Sequence, residues 1–84
     1  MIGGLKKVEK NRYELPGDGQ SWMDETKTRL KSQGWAIADQ NKSNTSGINR
    51  KLICLKGGLE ATFDAQNVAG KGPVVEFHLR SRKK

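Results

Sequence analysis

The chain has 84 residues and a mass of 9.3 kDa, enough for one small domain and too little for a second. Leu, Ile, Val and Phe account for only 17 residues, so the hydrophobic core must be thin. Sixteen Lys and Arg against nine Asp and Glu give a formal net charge of +7, and nine bases but only three acids lie in residues 42–84. The sequence therefore predicts one domain over residues 1–84 that ends in a frayed basic tail, residues 80–84.

Several classes of protein are excluded by what the chain lacks. The single cysteine, Cys54, has no partner for an internal disulfide, and with the single histidine, His78, it falls short of the four ligands of a structural zinc site. No apolar stretch approaches the ~18 residues of a membrane span, and the N-terminal residues lack the apolar run of a secretory signal. These observations predict a cytoplasmic protein without a metal, a cofactor or a membrane partner.

The first element in chain order is a strand within residues 5–15. Its alternation is irregular, because Tyr13 and Leu15 share a face that Val8 does not. We therefore expect a bulge or a tight turn near residues 11–12.

The second element is a helix over residues 22–33. Ser21 is the predicted N-cap, and Asp24 lies three residues later in the position of a capping box. Gly34 supplies the left-handed stop. One stripe of the helix is apolar enough to pack on a sheet: Trp22, Met23, Thr26 and Leu30.

Two strands are predicted after the helix, the first containing Trp35, Ile37 and Asp39. Residues 52–55 are apolar on both sides, which is typical of a central strand. The two glycines at positions 57 and 58 suit a tight turn into the next strand.

The last two strands show a clear period of two. One has Leu59, Ala61, Phe63 and Ala65 on a single face, and the other has Val75, Phe77 and Leu79. Residues 67–73 form the turn between them. The predicted fold is α+β, with one short helix on one face of a mostly antiparallel sheet and the order β-α-β-β-β-β.

Neither candidate for catalysis is strong in the sequence. Cys54 lies in the most apolar tetrapeptide, where a thiol usually packs in a core and is unreactive. His78 is predicted on the outer face of the last strand between Glu76 and Arg80, and a lone surface histidine on a basic strand seldom catalyses. The glycines do not match a phosphate-binding loop. We predict no catalytic residue.

The basic residues carry the functional prediction. Dense Lys and Arg attract polyanions, and the five aromatic residues are mostly needed for the core, which argues against base stacking. We therefore predict phosphate contacts to nucleic acid, with these candidate residues: Arg50, Lys51, Lys56, His78, Arg80, Arg82, Lys83 and Lys84. A solubilising basic surface is the alternative interpretation of the same pattern.

The preferred function is a small non-enzymatic domain that binds DNA, RNA or a nucleic-acid assembly. One alternative is an accessory protein of the kind that phages and mobile elements encode, which would inhibit a host protein by covering an acidic surface with its basic face. A second alternative is a small toxin-type RNase that uses His78 with Arg80.

Overall fold

A computed structural model describes residues 4–82. Its elements, in chain order, are β1 (Lys7–Glu9), β2 (Arg12–Glu14), α1 (Gln20–Ser32), β3 (Ala36–Asn41), β4 (Asn49–Lys56), β5 (Leu59–Val68) and β6 (Gly72–Ser81). The six strands form one sheet in the order β1-β2-β6-β5-β4-β3, and each pair of neighbours is antiparallel. The predicted α+β class, with one helix on an antiparallel sheet, is confirmed.

The N-terminal segment is two strands where the sequence predicted one. The tight turn expected at residues 11–12 is present, because Asn11 has a φ of 64° and β2 turns back along β1. Asparagine tolerates this left-handed conformation better than most residues. The full order is therefore β-β-α-β-β-β-β.

The helix begins two residues earlier than predicted, and Ser21 is not its N-cap. Gly19 is the N-cap, with a φ of 85°, and the Asp18 carboxylate accepts a hydrogen bond from the Gln20 N–H at 3.0 Å. A Cβ at Gly19 would lie 2.9 Å from a Leu15 methyl carbon, so the close approach as well as the left-handed backbone requires glycine. The predicted stop near Gly34 is confirmed.

The core lies between α1 and one face of the sheet. Met23, Thr26 and Leu30 of the predicted apolar stripe are buried. Trp22 is half-buried and packs against Phe63, with ring centroids 6.1 Å apart. The strands contribute every second residue, as the period of two predicts, and the fully buried members include Leu52, Cys54, Ala61, Phe63, Ala65 and Val75. Leu59 and Leu79, predicted on the same faces, are instead exposed, because they lie near the end of the sheet.

The last strand is longer than the sequence indicated. β6 continues to Ser81, so Arg80 and Ser81 are paired with Glu60 and Leu59 of β5. These two residues were assigned to a frayed tail and instead belong to the sheet. Among residues 4–82, α1 is too short and too polar to cross a membrane.

Candidate nucleic-acid interface

One end of the sheet collects exposed bases from three elements. The Lys56 ammonium donates a hydrogen bond to the Gln33 carbonyl at 2.6 Å, which joins the end of β4 to the end of α1. The Arg82 N–H donates to the Gly58 carbonyl at 2.6 Å, which joins the end of β6 to the β4–β5 turn. We call this region the basic end and define it by five exposed residues: Arg29, Lys31, Lys56, Arg80 and Arg82.

Arg80 and Arg82 are the most available cations of the basic end. Their side chains are 73% and 53% exposed. They share one carboxylate, Glu60, which lies 3.2 Å from Arg80 and 3.6 Å from Arg82. Because one acid faces two guanidinium groups, a net positive charge and several N–H donors remain for a ligand.

The end of α1 adds to this charge. Arg29 and Lys31 lie in the last turn of the helix, where the partial negative charge of the helix dipole stabilises cations. Lys56 provides a further interaction of this kind, since its ammonium bonds a carbonyl at the helix end. Arg29 and Lys31 were not among the predicted interface residues, because only the tertiary fold brings the end of α1 beside the end of β4.

Arg50 is not part of this surface. Its side chain is 5% exposed and donates to both carboxylate oxygens of Asp39, at 3.0 and 2.7 Å. A third contact joins Arg50 to the Asp24 carboxylate at 2.7 Å. The Arg50 hydrogen bonds lower the pKa of Asp39 to about 2 against the opposing effect of burial, with further help from Lys27. The fold therefore gives Arg50 a structural role, and its guanidinium group is not available to bind nucleic acid.

The alternation contained a signal for this buried pair. Arg50 is in phase with Leu52 and Cys54, and Asp39 is in phase with Ile37 and Trp35, so both charges fall on the helix side of the sheet. A charge on a buried face requires a partner. This alternation therefore predicts a paired, buried Arg50 that does not belong to the interface.

Lys51 lies on the open face of the sheet, opposite the face that carries Arg50. The bases around it are balanced by acids. In the strand register it faces Asp64. Arg12 on the same face donates to Glu76 at 2.9 Å. Because acids and bases alternate across these strands, this part of the open face carries little of the net positive charge. Arg80 lies on the same face, at the end of β6 opposite Glu60.

His78 also lies on the open face, as predicted, and is exposed. Its Nε2 is 2.5 Å from a Glu76 carboxylate oxygen. The hydrogen bonds from His78 and Arg12 lower the pKa of Glu76. His78 is therefore paired with an acid, and it borders the basic end, since it lines one depression with Glu60 and Arg80.

Cys54 is buried, as predicted, and burial raises the pKa of its thiol to about 11. At neutral pH such a thiol stays protonated and is a poor nucleophile. Within residues 4–82, no three His, Cys, Asp or Glu side chains converge in a way that would hold a metal ion.

Three of the eight predicted interface residues come together at the basic end: Lys56, Arg80 and Arg82. Arg50 and Lys51 lie elsewhere, and His78 borders the basic end beside Arg80. Lys83 and Lys84 lie outside the described residues. Comparisons with protein-family models, with curated proteins and with solved structures found no match to this chain. Support for a function therefore comes from the geometry and charge of the site.

Proposed function

We propose that this protein is a small non-enzymatic domain that binds nucleic acid through phosphate contacts at its basic end. The observation that carries the proposal is the gathering of five exposed bases at one end of the sheet, where Arg80 and Arg82 share the carboxylate of Glu60. Arginine and lysine in such density neutralise phosphates and release counterions. Lys83 and Lys84 follow Arg82 directly in the sequence and would extend the same charge.

The aromatic residues favour contact with the backbone of a duplex or of structured RNA over stacking on single-stranded bases. Trp35 is buried and Phe63 is fully buried. Trp22 and Phe77 both pack against Phe63, with ring centroids 6.1 and 4.9 Å away. Because these rings stabilise the core, they do not form the exposed platform that base stacking requires.

The test is the salt dependence of binding to duplex DNA and to structured RNA. In a triple variant, Lys56→Ala, Arg80→Ala and Arg82→Ala, we expect the slope of log K against log salt to flatten by about 1.5 to 2.7, since each phosphate contact contributes up to about 0.9. Fluorescence anisotropy between about 50 and 200 mM salt measures this slope.

A matched control removes the same charge from other places. Lys42, Lys51 and Lys71 lie away from the basic end, and their replacement by alanine also lowers the net charge by three. This variant should keep most of the wild-type slope. Equal losses in the two triple variants would show that net charge alone drives binding, and wild-type binding in both would overturn the proposal.

The alternative function, binding to a protein partner, is tested with the same purified protein. A pull-down from lysate, with and without nuclease treatment, identifies the first ligand. Retention of one protein after nuclease treatment, together with no binding of purified DNA or RNA, would favour the inhibitor function.

A second candidate function is metal-independent RNA cleavage, and one observation favours it. His78, Arg80, Glu60 and Thr62 line a shallow depression of about 340 Å³ on the open face. In such a reaction the 2′-hydroxyl loses its proton to His78 and attacks the adjacent phosphorus, and the bond from phosphorus to the 5′-oxygen breaks as a cyclic phosphate forms. The 5′-oxygen takes a proton from water, and His78 returns its proton to the solvent. Arg80 would stabilise the charge on the phosphoryl oxygens.

This second candidate is tested by incubating RNA with the protein and a chelator at neutral pH. Products that end in a cyclic phosphate, and that disappear with His78→Gln, would support cleavage. Intact RNA would eliminate it and leave the binding proposal unaffected.

A further inference from the structure

The two edges of the sheet differ in how well they are protected against pairing with another strand. At one edge, β1 is three residues long, its register shifts between Lys7 and Glu9, and lysines lie along it. Short length, irregular register and lysines are the features by which natural edge strands avoid association. This edge is therefore poorly suited to receive a strand.

The opposite edge has none of these features. β3 is six residues long, pairs with β4 in unbroken register and contains neither glycine nor proline. Its single charged residue, Asp39, directs its carboxylate to Arg50 and Lys27 on the helix side. The side chains on the open side are small or uncharged: Ala36, Ala38 and Gln40.

The backbone groups at this edge can be assigned from the ladder. The Lys42 N–H donates to the Asn49 carbonyl at 2.7 Å, so even-numbered residues of β3 bond to β4. In an antiparallel strand the direction alternates. The N–H and C=O groups of Ile37, Asp39 and Asn41 therefore point away from the sheet.

We propose that β3 pairs antiparallel with β3 of a second copy of this chain, which forms one continuous sheet across a two-fold axis at Asp39. Ile37 then lies opposite Asn41 of the other copy, and Asp39 lies opposite its own copy. In this register all three outward residues exchange both hydrogen bonds. A register centred on Ala38 would place Trp35 opposite Asn41, but the Trp35 N–H already donates to the Leu30 carbonyl.

The charge distribution permits a second copy at this edge despite the net charge of +7. β3 starts at Ala36, two residues after Gly34, which lies against Lys56 of the basic end, and the strand runs away from that end. In an antiparallel pair the two basic ends therefore point in opposite directions, which minimises their repulsion. Each Asp39 enters the contact already neutralised by Arg50 and Lys27. The proposal does not depend on the proposed function.

The test uses the wild-type chain, freed of nucleic acid, over about a hundred-fold range of concentration. Sedimentation velocity should show a monomer that converts to a dimer as the concentration rises. Amide hydrogen exchange by NMR should then show slower exchange for Ile37, Asp39 and Asn41 at high concentration than at low concentration. The amides of Ala38 and Gln40 bond to β4 and serve as internal controls whose exchange changes little.

Two substitutions at Asn41 test the same strand pairing. Asn41→Pro removes an outward N–H and no bond to β4, while Asn41→Ala keeps that N–H and serves as its control. We expect the proline variant to stay monomeric and the alanine variant to dimerise. A wild-type monomer at every concentration, or a dimer without added protection at residues 37, 39 and 41, would overturn the proposal, the second by placing the interface elsewhere.

Discussion

At one end of the sheet Arg50 is buried and contacts the carboxylates of Asp39 and Asp24, whereas at the other end Arg80 and Arg82 are more than half exposed and share Glu60. The first end also holds Lys27 on Asp39 at 3.1 Å. Burial strengthens each interaction of Arg50 and makes it costly to lose. Exposure weakens the Glu60 pairs and leaves Arg80 and Arg82 able to exchange partners.

This difference shows why the net charge of the chain is a poor measure of its binding surface. An arginine that neutralises two acids inside the fold adds nothing to the field that a polyanion meets. The arginines at the end of β6 contribute to that field because their only carboxylate contact within residues 4–82 is shared.

The largest expected effect concerns the buried arginine, Arg50. Arg50→Ala should lower the free energy of unfolding by about 3 kcal/mol, because it leaves Asp39 largely buried without its main partner. Urea unfolding at neutral pH measures the change. Lys51→Ala, one residue along and on the opposite face, should change stability by less than about 0.5 kcal/mol. Similar losses for the two variants would contradict the structural role of Arg50.

The second effect is a pH dependence at the same pair. The folded-state pKa of Asp39 is about 2, below its ordinary value of 3.8, so the ionised form stabilises the fold. This contribution, about 2 kcal/mol, is present above pH 4 and is lost as the pH falls toward 2.

Comparison with Asp39→Asn isolates this term from the other carboxylates. The variant should be less stable than the wild type at pH 6, and most of that difference should vanish by pH 2. Urea unfolding at a series of pH values provides the data. A difference that stays constant with pH would mean that Asp39 contributes packing or hydrogen bonds but no charge.

The smallest expected effect concerns the exposed arginines, Arg80 and Arg82, and rests on the proposed function. Glu60→Gln removes the carboxylate that Arg80 and Arg82 share, so affinity for duplex DNA at low salt should rise about three- to fivefold. Asp64→Asn is the matched control, since it removes the same charge from the same strand and face, opposite Lys51. Anisotropy titrations should show a larger gain for Glu60→Gln. Equal gains would indicate that the field is diffuse over the whole molecule.

Much of the fold was predictable from local patterns. The alternation at Leu59 to Ala65 and at Val75 to Leu79 identified β5 and β6, because a half-buried strand must place apolar residues at every second position. The buried face was right from Ala61 to Ala65 and at Val75, and wrong at Leu59 and Leu79, which are exposed. The two glycines at positions 57 and 58 identified the turn between β4 and β5. These signals act over a few residues, so the sequence contains them directly.

The helix start and the last strand were harder to predict. Ser21 looked like an N-cap in the sequence, but Gly19 packs against Leu15 and begins the helix earlier. Arg80 and Ser81 carried no apolar alternation and were assigned to a tail, although their pairing with β5 keeps them in the sheet. In both cases contacts distant in sequence decided the local structure.

The sequence by itself determined that this protein is a small, basic α+β domain with a thin core, because composition and periodicity limit what a chain of this length can bury. Only the tertiary structure decided which bases face solvent. The alternation of β4 places Arg50 on the buried face, but only the fold supplies its two carboxylate partners, whereas Arg80 lies at the exposed end of β6. The physical reason is that the availability of a charge depends on its burial and its partners, and both are set by strands and a helix that meet only after folding.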